Sequence, residues 1–97
     1  MTEVLFAEFT VKEGAEQEVA RLVAGLIPLV RAEPGNVCFE PNVRRDEPRR
    51  YVIYEVYRDR AAFDAHIGAA YGAEFNAALS PLITEDSAAL TWLMSTS

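Results

Sequence analysis

One histidine, one cysteine and a carboxylate set in an apolar strand are the residues of this chain that could do chemistry. Imidazole is the side chain that changes charge near neutral pH. His66 can therefore act as a general base if a substrate proton comes within its reach. It shares a helical face with Phe63 and Ile67, so the plainer role is a partly buried ring held by one hydrogen bond. Glu55 interrupts the run Tyr51-Val52-Ile53-Tyr54-Glu55-Val56-Tyr57, and a buried carboxylate is costly unless partnered. It either pairs with a neighbour, such as an arginine, or lines a wet cavity. Asn36, directly after Gly35, can extend a turn or offer an amide to a ligand. Tyr51, Tyr54, Tyr57 and Tyr71 are core or interface residues in the ordinary case. At a pocket wall a tyrosine supplies both a ring and a donor. Cys38 has no basic neighbour to activate its thiol and reads as a small core residue.

Many chemistries lack their residues. With a single His and a single Cys, the usual zinc or iron spacing cannot be assembled from one chain. There is no Gly-rich phosphate loop, no G-x-S-x-G elbow and no dinucleotide fingerprint, which leaves proton transfer. The formal charge is −6, from 15 acidic and 9 basic residues. Such a field repels polyphosphate backbones and argues against a nucleic-acid partner. Arg44, Arg45, Arg49 and Arg50 form a local exception that could attract an anion or a partner subunit, but with Asp46 and Glu47 among them they read as a solvated turn. No apolar stretch approaches the ~18 residues of a membrane span, and no basic-then-apolar leader opens the sequence. The expectation is no membrane and a cytoplasmic home, which suits a lone cysteine.

The elements that must position these residues follow from periodicity. Residues 4–11 form a strand with Leu5, Ala7, Phe9 and Val11 on one face. Val19, Leu22, Val23, Leu26, Ile27 and Val30 then mark an amphipathic helix. Pro28 predicts a kink or early stop in it. Glu33-Pro34-Gly35 makes a turn. In a second strand over 36–44, Val37, Phe39, Pro41 and Val43 share a side, and Pro41 requires an edge or a bulge. A third strand over 50–57 is apolar on both faces apart from Glu55. Asp59 caps a short helix that Gly68 interrupts. A further helical piece carries Tyr71, Phe75, Ala78, Leu79 and Leu82, and a last strand spans about 88–94. The order β-α-β-β-α-β over 1–97 is one α+β, ferredoxin-like domain with its helices on one side of an antiparallel sheet. The other side of so apolar a sheet needs a cover, and a second copy of the chain is the natural one.

Three segments together resemble the antibiotic biosynthesis monooxygenase domain family. They are Glu33-Pro34-Gly35-Asn36-Val37-Cys38-Phe39-Glu40, Tyr51 through Asp59, and Phe63-Asp64-Ala65-His66 through Tyr71 to Phe75. The resemblance implies a homodimeric α+β barrel with a pocket between helices and sheet in each subunit. Members include cofactor-free monooxygenases of aromatic polyketides, quinol monooxygenases, haem-degrading enzymes and an isomerase of a phosphorylated signal. Asn36, Glu55, His66 and Tyr71 fall where the quinol-oxidising and signal-processing branches often carry pocket residues. The haem-degrading branch carries an asparagine, a tryptophan and a histidine where this chain has Ala7, Tyr57 and Phe75, which disfavours haem degradation.

The resulting expectation is oxidation of a small quinol or polyphenol by molecular oxygen, with no metal, flavin or other cofactor. His66 would take the phenolic proton, Glu55 would orient or tune it, and Asn36 and Tyr71 would bind substrate oxygens. Phe39, Phe63, Phe75 and Trp92 would form the walls. Two alternatives stand beside it: isomerisation of a small polar or phosphorylated carbonyl compound by the same residues, and a noncatalytic small-molecule-binding dimer.

Overall fold

The computed structural model describes residues 1–96. Four strands and three helices follow the order β1 (Glu3–Thr10), α1 (Glu16–Arg31), β2 (Asn36–Val43), β3 (Arg50–Tyr57), α2 (Arg60–Ile67), α3 (Ala70–Leu79) and β4 (Ala89–Leu93). A 3-10 turn at Ser80–Leu82 ends α3, where Pro81 cannot continue it. The strands form one sheet in the order β2-β3-β1-β4, antiparallel throughout. This is the α+β ferredoxin-like fold that the element order predicts.

Alternation sorts the sheet into two faces. Leu5, Ala7 and Phe9 of β1, Phe39 of β2, and Ile53, Glu55 and Tyr57 of β3 are buried on the side that the helices cover. Against them α1 lays Val19, Val23, Leu26 and Val30, its one apolar stripe. On the far side Val4, Phe6, Val52, Tyr54 and Val56 are only half-buried, and the rings of Phe6 and Tyr54 meet at 5.7 Å. Arg50 closes one end of that side by pairing with Glu8 and Glu85. The arginine hairpin is thus partly self-neutralised, since Arg44 also pairs with Asp46.

Two local expectations change. The helix does not stop at Pro28: α1 runs on to Arg31. Pro28 and the Ala24 carbonyl that it leaves unpaired lie on exposed residues, where water can take the place of the missing donor. Val37 does not share a side with Phe39. A bulge between Asn36 and Cys38 turns Val37 outward, to 63% exposure. Pro41 sits in an edge strand as its missing donor requires. Arg44 donates to the Arg50 carbonyl in the same register, so the Pro41 nitrogen faces away from β3.

Candidate functional site

The site is built where the first turn after α1, the middle of β3 and the end of α2 converge. Glu55 stands between Leu5 and Phe39 in the ladder, on the covered face. It is 5% exposed and the only buried charged or polar side chain among the described residues. Its Oε1 accepts a hydrogen bond from the fully buried Tyr57 hydroxyl at 2.7 Å. Burial pushes the Glu55 carboxyl above its ordinary range, and the Tyr57 hydroxyl and His66 only partly offset this. Burial, and then the adjacent Glu55, raise the Tyr57 phenol in turn.

The Asp59 carboxylate caps α2 by accepting from the Ala62 backbone N–H, and the helix then carries Phe63 and His66 over β3. The His66 ring lies 4.9 Å from the Tyr57 ring and 6.2 Å from that of Phe63. Its Nε2 is 3.8 Å from Glu55 Oε1, beyond hydrogen-bond length. Its Nδ1 is 2.9 Å from Glu33 Oε2, and the same oxygen accepts from the Tyr71 hydroxyl. Burial and the bond to Glu33 raise the Tyr71 phenol.

Beside this cluster lies a cavity of about 500 Å³ between the helices and the sheet. That is the size of a small-molecule site. Phe9, Leu26, Ile53 and Leu79 contribute to a largely apolar wall, and Glu55 and His66 supply polar groups. Asn76, Ser80, Asp86 and Ser87 add others, and among the described residues no Lys or Arg lines it. No group of three or more described His, Cys, Asp or Glu residues is arranged to hold a metal ion. No described helix is long and apolar enough to cross a membrane.

Of the residues singled out from sequence, Glu55, His66, Phe39, Phe63 and Phe75 line the cavity together. Asn36, Tyr71 and Trp92 do not. The Asn36 amide donates to the Cys38 carbonyl at 3.1 Å and so braces the bulge. The Tyr71 hydroxyl is spent on Glu33. Trp92 packs edge-on behind Phe63, with ring centres 4.8 Å apart, and the Arg60 guanidinium lies over both rings. Ala7 and Phe75, two positions used for haem by other members, present only hydrocarbon to the cavity. The two residues that sequence reasoning missed are Glu33 and Tyr57. Glu33 reads locally as a turn residue and Tyr57 as a core ring; only the fold brings them to His66 and Glu55.

The family model described as antibiotic biosynthesis monooxygenase matches residues 4–78. No curated protein sequence matches the chain. Among solved structures, SO0527 from Shewanella oneidensis is 33% identical, with a TM-score of 0.83 over 95% of this chain and 90% of its own. Rv0793 from Mycobacterium tuberculosis is 26% identical, with a TM-score of 0.91 over 100% of this chain and 97% of that one. SnoaB, a cofactor-independent oxygenase from Streptomyces nogalater, is 23% identical, with a TM-score of 0.84 over 99% and 94%. Three-quarters of the sequence thus fits one family model, so the chain belongs to the antibiotic biosynthesis monooxygenase family.

Proposed function

We propose that this protein is a cofactor-independent monooxygenase that oxidises a small quinol or polyphenol with molecular oxygen, working as a cytoplasmic homodimer. The observation that carries the reading is an imidazole at the wall of an apolar cavity, with one nitrogen on a carboxylate and the other free of a hydrogen bond. A quinol ring fits an apolar chamber of this size, and a low-polarity wall strengthens any charge interaction made inside it.

His66 removes a phenolic proton, and the phenolate is electron-rich enough to reduce oxygen. One electron passes to O2, and the phenoxyl and superoxide radicals combine at a ring carbon to form a peroxide anion, which the imidazolium protonates to a hydroperoxide. The neutral imidazole then takes the C–H proton of that carbon, and the C–H electron pair forms the new C=O as the O–O bond breaks. The departing hydroxide takes the proton back from the imidazolium and leaves as water. Quinol plus O2 thus gives hydroxyquinone plus water, with no external reductant. Glu55, whose carboxyl burial pushes above its ordinary range, stands beside the Nε2 side of the ring, and in its protonated form it can donate toward the developing oxyanion. The aromatic side chains Phe39, Phe63 and Phe75 fix the plane of the ring.

A phosphorylated carbonyl substrate would find no cationic partner on the described wall, so the cavity favours the oxygenase over the isomerase. Oxygen uptake with a panel of quinols tests the reading. His66→Ala is expected to lower turnover about a hundredfold to ten-thousandfold. Unchanged uptake in that variant, or equal turnover under anaerobic conditions, would overturn it.

A further inference from the structure

Glu33 has no part in the roles above, yet it binds two members of the cluster through one oxygen. It lies just past the end of α1, on the turn into β2. Its backbone N–H donates to the Val30 carbonyl at 3.0 Å, and its own carbonyl accepts from Asn36 at 3.1 Å. The side chain therefore projects from a fixed base. It is 17% exposed, as is that of His66.

An ionised carboxylate can only accept hydrogen bonds. With Glu33 Oε2 on Nδ1, the neutral imidazole must carry its proton there, and Nε2 keeps its lone pair on the side of Glu55 and the cavity. A histidine free in water prefers the opposite tautomer, which would aim an N–H at the substrate and leave no base. The Tyr71 hydroxyl on the same oxygen hinders the carboxylate from swinging away. The titratable groups facing the ring are Glu33 from the turn, Glu55 and Tyr57 from β3, and Tyr71, which reaches it from α3 through Glu33.

We propose that Glu33 is the positioning residue of this site: it fixes His66 in the Nδ1–H tautomer and so makes Nε2 the base, with Tyr71 steadying it. The role in turnover rests on the reading of His66 as the base, but the tautomer does not. Because the chain contains one histidine, ring-labelled [15N]histidine yields a single pair of ring-nitrogen signals in the intact protein.

At a pH where the ring is neutral, the wild type is expected to show a protonated Nδ1 and an unprotonated Nε2. Glu33→Ala should move the proton mainly to Nε2 and lower kcat at least about tenfold, with KM little changed. Glu33→Gln, whose amide oxygen still accepts, should restore the wild-type tautomer. A wild-type ring protonated on Nε2, or a Glu33→Ala ring indistinguishable from wild type, would overturn the proposal. The wild-type spectrum needs no variant, so a poorly folding Glu33→Ala does not block the test. If His66→Ala leaves turnover unchanged, the base assignment fails while the nitrogen signals still decide on Glu33.

Discussion

Glu55 is a carboxyl group on the covered side of a sheet, flanked by Leu5 and Phe39, and its cost should be measurable as a pH dependence of stability. Burial raises its folded-state pKa above the ordinary 4.5, so the native protein keeps a proton that the unfolded chain has already released. The stability contributed by that proton is complete below about 4.5 and is lost as pH rises through the raised value. Glu55→Gln has no proton to lose, and its amide oxygen can still accept from Tyr57. Thermal melts should show little difference between variant and wild type near pH 4 and a higher midpoint for the variant near pH 7. Such a gain with a loss of activity is the usual trade at a strained site. Glu55 and His66 were legible in sequence because each is out of place: a charge in an apolar strand, and an imidazole on an apolar helical face. Glu33 was not. Its neighbours Pro34 and Gly35 account fully for a turn, and the partners that give it meaning lie 33 and 38 positions away.

The turn that carries Glu33 is pressed against α2 at Gly35. A Cβ at Gly35 would overlap the Ala62 side chain, which lies one helical turn before His66. Gly35→Ala must therefore push the turn and the helix apart. Overpacking of this kind costs about 1–3 kcal/mol. In a domain of this size each kcal/mol lowers the melting temperature by about 4–8 °C, which calorimetry would read. The same displacement should lengthen the Glu33–His66 contact, so activity should fall even where the variant is folded. Asp59→Ala acts on the same first turn of the helix, where its carboxylate accepts from the Ala62 N–H, and should cost about 1 kcal/mol through loss of the cap. The element order, the Asp59 cap and the break at Gly68 were all readable, because each is written in a few adjacent residues. The run of α1 through Pro28 and the outward turn of Val37 were not. The first depends on which side of the helix meets solvent, and the second on a register slip between two distant strands.

At the scale of the molecule, the far side of the sheet presents Val4, Phe6, Val52, Tyr54 and Val56 to solvent only partly shielded. A small protein seldom leaves so apolar a sheet face uncovered, and a twin chain supplies a matching one. Light scattering after size exclusion should give twice the chain mass at micromolar concentration. Phe6→Glu combined with Tyr54→Glu should give the single-chain mass, since four added carboxylates would face one another across the pair. The sequence foretold this face because β1 and β3 carry apolar residues on both sides, whereas the cavity beneath the helices depends on side-chain packing that periodicity does not encode. The two borders of the sheet are unlike. Along β2 the bulge and the outward nitrogen of Pro41 spoil the pattern that another strand would copy, while β4 leaves all five of its residues exposed. A ribbon with one spoiled and one intact margin cannot readily stack head to tail into a fibre. Contact through the intact margin consumes it, so association by that route ends with a closed pair and leaves no template for a third chain.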